Sequence, residues 1–186
     1  MAIRSYDRNG LAESTTKETI MTIVTEVERL DPGATEGCKY RGYHREVITG
    51  KENALKAYTL SPDESGALCV HGAAGGAAWV LPAAEAGLWY EFQATVSVTS
   101  TDVYTITCAT GDFIAGVIVG GNLTIGASGD PFTANGSTHL AISQNGSTTG
   151  GLIGDNFVLT AISGTQWVLT QAVSVGSGTN ATPFTT

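Results

Sequence analysis

Trp89-Tyr-Glu-Phe-Gln-Ala-Thr-Val-Ser-Val98 is the stretch that decides the fold class. Trp89, Glu91, Gln93, Thr95 and Ser97 alternate with Tyr90, Phe92, Ala94, Val96 and Val98. Successive side chains of a strand point to opposite faces, so this two-residue period lays one set on a core and turns the other away from it. Val103, Thr105 and Thr107 alternate with Tyr104, Ile106 and Cys108 in the same way. Outward from these segments, short apolar runs alternate with Gly, Ser, Asp and Asn clusters at the spacing of an all-β fold. Strands are expected over 57–60, 67–71, 78–81, 88–98, 102–108, 112–119, 138–143, 156–162 and 166–173, with a short edge strand anchored by Phe184 at the end. Asn135-Gly-Ser-Thr138 recurs as Asn145-Gly-Ser-Thr148. Asn-Gly tolerates positive φ, so the repeat predicts two hairpin turns at opposite ends of one strand.

Charge divides the chain more sharply than hydropathy does. All nine basic residues, Arg4, Arg8, Lys17, Arg29, Lys39, Arg41, Arg45, Lys51 and Lys56, fall in the first 56 positions. Nine of the 17 acids share that segment and leave it formally neutral, so the net charge of -8 belongs to residues 57–186. Only 14% of residues are charged, against about 25% in ordinary soluble domains. A pI near 4.7 speaks against nucleic acid, whose phosphates need clustered Lys and Arg. The reading is an arm, 1–56, ahead of one acidic β domain, 57–186: a single antiparallel β-sandwich or barrel-like domain. The extended N-terminal arm has room for a short helix or hairpin.

Within the arm, Ile20, Ile23, Val24, Val27 and Leu30 fit a helical stripe, Thr15 and Glu18 fit a capping box, and Asp31-Pro32-Gly33 fits a stop. The β-branched content of residues 16–30 favours a strand instead. A hairpin around Thr49–Asn53 is expected. The start of the chain has no run like a signal peptide, and no stretch reaches the roughly 18 apolar residues of a membrane span. Three cysteines, Cys38, Cys69 and Cys108, are an odd number, which fits free thiols in a reducing compartment.

Motifs for chemistry are weak. Cys38 with His44, and Cys69 with His71, match no common zinc spacing; Cys69 and His71 read as a buried thiol beside a solvent-facing or hydrogen-bonded histidine. No Gly-x-Ser-x-Gly elbow occurs, and His139 reads as a surface position. Asp112, Asp130 and Asp155 each follow a glycine near a strand boundary, where carboxylates satisfy turn amides. Gly72–Ala78 lacks the Lys-Ser/Thr of a phosphate loop and reads as a flexible or tight strand connection. Trp79, Trp89, Tyr90, Phe92 and Trp167 are expected in the core or an oligomer interface, with sugar stacking the competing use of the tryptophans. No catalytic, metal or cofactor site is assigned.

Several stretches together resemble a β-rich domain of tailed-bacteriophage structural proteins, in particular capsid decoration and head-fibre proteins of marine phages. They are Tyr58-Thr-Leu-Ser-Pro-Asp-Glu-Ser-Gly66, Leu81-Pro-Ala-Ala-Glu-Ala-Gly-Leu88 with Tyr90-Glu-Phe92, Tyr104-Thr-Ile106, and Gly111-Asp112 with Gly116. Ile153-Gly-Asp-Asn-Phe-Val-Leu159 and Gly164-Thr-Gln-Trp167-Val-Leu169 complete the set. In such domains a Leu-Pro turn enters a long central strand and a Gly-Thr-x-Trp hairpin lies near the end. The resemblance implies a non-enzymatic cement protein on the outer capsid surface of a virion, assembled in the host cytoplasm. It also implies a homotrimer clamping neighbouring subunits of the major capsid protein, with no nucleic acid or membrane partner. The arm then supplies the capsid contacts, for which Arg4, Arg8, Lys17, Arg29, Tyr40, Arg41, Tyr43 and Arg45 are the candidates, since Tyr and Arg dominate interface hot spots. The alternative is a virion fibre or adhesion module that binds host surface glycans.

Overall fold

The computed structural model describes residues 45–50, 57–99, 102–123 and 129–186. Glu46–Thr186 forms a compact unit built from two β-sheets. The strands in chain order are β1 (Val47–Thr49), β2 (Tyr58–Thr59), β3 (Leu68–His71), β4 (Ala77–Val80), β5 (Trp89–Ala94) and β6 (Tyr104–Thr107). They continue as β7 (Phe113–Asn122), β8 (Asp130–Asn135), β9 (Ala141–Gln144), β10 (Asn156–Ala161), β11 (Gln166–Gly176) and β12 (Phe184–Thr185). One turn of 3-10 helix, Pro62–Glu64, follows β2.

The larger sheet has the order β1-β3-β5-β10-β11-β7-β8, and the smaller β12-β9-β6-β4-β2. The all-β sandwich is therefore as the sequence predicts, but its sheets are mixed and not antiparallel. β1, β3 and β5 pair parallel in one sheet, as β2, β4 and β6 do in the other. The reason lies in the path: from β1 to β7 each strand lies in the sheet opposite its predecessor. Where the detour is a single strand, the returning strand runs parallel to its predecessor; β9, which returns after the β7–β8 pair, runs antiparallel to β6. Hairpin pairing begins only later, in β7–β8 and β10–β11.

That path also corrects the turn assignments. The two Asn-Gly turns do flank one strand, β9, but each carries the chain between sheets, so neither closes a hairpin. β1, on the near side of the hairpin expected around Thr49–Asn53, pairs with β3, and residues 51–53 of that hairpin lie outside those described. The helix-or-strand question at residues 16–30 lies outside them too. Gly164–Trp167 does form the expected hairpin, with the Ile162 amide bonded to the Gln166 carbonyl at 3.0 Å. Two strands escaped the sequence reading. β8 contains Pro131 and is an edge strand, where the missing N–H is tolerated. β1 lies on the arm side of the charge boundary.

The core follows the alternation. In β5, Tyr90, Phe92 and Ala94 are buried while Glu91 and Gln93 face outward. Trp79 of β4 meets Phe92 of β5 across the sandwich, edge to face at 5.9 Å between centroids, and Tyr58 at 5.7 Å. Tyr90 lies 5.8 Å from Trp167. Such aromatic pairs add about 0.5–1.5 kcal/mol each beyond area burial. The longest strand, β11, keeps its register by a bulge: Val158 pairs with Gln171 and Leu159 with Leu169. Thr170 is the extra residue, and Thr170 and Gln171 are both exposed. Without it Ala172 and Ser174 would turn outward.

Candidate functional site

Among the described residues, the chemistry-bearing side chains do not converge on one another. Arg4, Arg8, Lys17, Arg29, Tyr40, Arg41 and Tyr43 lie outside the described residues; Arg45 is exposed. Trp79, Tyr90, Phe92 and Trp167 are fully buried, whereas Trp89 is 37% exposed, with its amide on Ser65 Oγ at 3.1 Å. The three aspartates lie apart and have different employment. Asp130 is exposed and accepts a hydrogen bond from Asn180 at 3.0 Å. Asp112 is buried and accepts the Ala84 amide at 2.7 Å, pinning the loop between β4 and β5 to the start of β7.

Asp155 has the densest environment. It immediately precedes β10 and is 1% exposed. Its Oδ2 accepts from Gln144 Nε2 at 2.6 Å, the Gly151 amide at 2.7 Å and Ser174 Oγ at 3.0 Å. Its Oδ1 accepts the Val175 amide at 2.8 Å. Gln144 ends β9 in the smaller sheet and Ser174 belongs to β11 in the larger one, so a single carboxylate ties the two sheets together. A Cβ at Gly150 would lie 1.7 Å from Ser174 Oγ, 2.8 Å from Gln144 Nε2 and 2.9 Å from Asp155 Oδ2; the network closes only over a glycine. Burial raises the Asp155 carboxyl above its ordinary value against the pull of these four donors. The cleft beside it, lined by Thr149, Gly150, Ser174 and Asn180 among others, admits a water-sized sphere over only about 10 Å3. That is room for about one water.

Cys69 and His71 share a face of β3, as their spacing predicts, and both are buried. His71 is the hydrogen-bonded alternative: Trp79 Nε1 donates to His71 Nδ1 at 3.3 Å. Its ring stacks on Tyr104 at 4.1 Å. Its Nε2 has no hydrogen-bond partner, and burial lowers its pKa to about 3, which keeps the imidazole neutral at physiological pH. Burial, with Asp112 nearby, raises the Cys108 thiol to about 12, so the nucleophilic thiolate is scarce. His139 bonds the Asn135 turn, accepting its amide at Nδ1 at 3.2 Å, and lies 5.4 Å from Phe184. Neither described histidine is hydrogen-bonded to a serine. Among the described residues no three His, Cys, Asp or Glu gather as a metal-binding group, and no helix is long and apolar enough to cross a membrane.

Sequence reasoning missed Gln144 and Ser174, and nothing in their flanking residues marks them. They become partners only because β9 and β11 belong to sheets that pack together. It also missed the outer face of the larger sheet, where Val117, Val119 and Val173 are 45%, 53% and 48% exposed. Comparison of this chain with protein-family models, with curated proteins and with solved structures finds no match.

Proposed function

We propose that this chain is a non-enzymatic virion structural protein that decorates a capsid and stabilises it by clamping neighbouring major capsid protein subunits. The arm grips and the acidic β domain is an outward-facing cap. The observation that carries this reading is the charge partition: every Lys and Arg precedes residue 57, and the whole net charge of -8 follows it. Two further features support it. Asp112, Asp155, His71, Cys69 and Cys108 are all buried and serve the packing of the sandwich. A passive cap needs a rigid core, and two sheets cross-linked by aromatic and polar contacts provide one. Weak contacts suffice for such a protein, because linkage to several capsid subunits multiplies affinity.

The test substitutes the arm in the full-length chain. Arg8, Arg41 and Arg45 changed together to Glu should abolish co-sedimentation with decoration-free capsids while leaving thermal unfolding of the β domain in place. Undiminished co-sedimentation would refute the arm as the docking element.

The second reading, a fibre or adhesion module that binds host glycans, is favoured by the exposed Trp89. Saturable glycan binding that is lost in Trp89→Ala, with no affinity for capsids, would put it first.

A further inference from the structure

We propose that the outer face of β11, β7 and β8 packs face to face against the same face of a second copy of this chain. The three strands place their exposed residues in register. Val173 pairs with Val119, Val119 with Pro131, and Val117 with Thr133. The result is a continuous row, Val173–Val119–Pro131, with Val117 and Thr133 beside it and Gln171 at the bulge. An exposed sheet face is ordinarily polar. Here the β-branched apolar residues stand at the middle of the face, about half exposed, on the strand flanked on both sides.

Charge selects the occupant. Among the residues of β10, β11, β7 and β8 the only ionisable side chain is Asp130, at the start of β8 and bonded to Asn180. A basic or acidic partner finds nothing to pair with on this face. A second copy carries the same -8 and is repelled wherever carboxylates meet carboxylates; this face lets two copies approach without opposing them. Growth by strand addition at the open edge of β8 is interrupted by Pro131, which has no N–H to donate. Three strands about 4.8 Å apart and about nine residues long present roughly 430 Å2, so a symmetric pair buries about 850 Å2, in the range of weak, transient interfaces. The association is thus reversible. A patch that meets itself does so about a two-fold axis.

Sedimentation equilibrium of the full-length chain across micromolar to millimolar concentration tests this directly, because it needs no capsid and is independent of the decoration reading. The wild type should pass from monomer to dimer. Val119→Glu and Val173→Glu should each weaken the dimer about 100-fold or more, since each buries an unpaired carboxylate. Ile153→Glu, at an exposed position outside the strands, should leave it unchanged. If either glutamate variant fails to fold, Val119→Thr and Val173→Thr keep the β-branched shape and should still weaken the dimer. A chain that stays monomeric at millimolar concentration, a threefold assembly, or a dimer indifferent to the substitutions at 119 and 173 overturns the proposal.

Discussion

The tetrapeptide Asn-Gly-Ser-Thr occurs at 135–138 and at 145–148, and the two copies adopt one local structure under different loads. In each, the Asn Oδ1 accepts the amides two and three residues on, at 2.9–3.0 Å. The glycines have nearly the same φ, 74° and 72°. The first turn is open to solvent. The second is packed: Asn145 also holds the Thr149 amide and Thr148 Oγ1, and Gly146 bonds Gly150 at 2.6 Å. The loop it begins ends at the Asp155 network. Local sequence sets the shape of such a turn, and its surroundings set how much stability depends on it.

The largest effect should come from the end of the second loop. Asp155→Ala leaves four donors facing a void and should lower the unfolding free energy by about 3–5 kcal/mol. Asp130→Ala, at the exposed end of β8, should cost no more than about 0.5 kcal/mol. Equal costs in urea titrations would break the comparison. Next come the glycines. A Cβ at Gly146 would lie 2.1 Å from the backbone oxygen of Val98; at Gly136 it would lie 2.3 Å from Gln166 Nε2, the end of a flexible side chain. Gly146→Ala should therefore cost about 2–4 kcal/mol and Gly136→Ala about 1–2 kcal/mol, the latter mostly backbone strain.

The titration of Asp155 sharpens the contrast further. Its carboxyl is raised in the folded chain, so folding favours the protonated form. The stability tied to that form is intact below the ordinary carboxylate value and is lost as pH rises through the raised one. Asp155→Asn does not titrate, and His71 is common to both proteins. The wild-type stability minus that of Asp155→Asn should fall with rising pH, by no more than about 1.4 kcal/mol per pH unit; a flat or rising difference contradicts the account. The smallest contrast is in the caps themselves. Asn145→Ala should cost about 1–2 kcal/mol and Asn135→Ala about 0.5–1 kcal/mol, measurable as a difference in thermal midpoint.

Much of the sandwich was legible because burial imposes a two-residue period that needs no knowledge of partners. Tyr90, Phe92 and Ala94 announce a core face whichever strands flank them; the Gly164–Trp167 hairpin was expected from the resemblance, and its turn and both strands are contiguous. β8 was not legible: Asp130-Pro131 reads as a turn, and only its place at a sheet edge makes the proline harmless. Asp112 and Asp155 accept backbone amides, as read, though only the Gly151 amide on Asp155 is near in sequence, and Asp130 accepts the Asn180 side chain instead. Asp155 takes one from Val175, and Asp112 takes one from Ala84, far along the chain.

Composition and order of residues alone established an all-β chain, the separation of its cations from its excess acids, a turn at each end of β9 and the buried face of β5. Each of these depends on charge count, on period, or on contacts within a few residues. Tertiary structure alone decided which strand lies beside which, that the sheets are mixed, that Gln144 and Ser174 meet Asp155, and that Val117, Val119 and Val173 share an open face. Those are contacts between segments distant in sequence. An alternating strand specifies which of its sides is buried and leaves open which neighbour buries it.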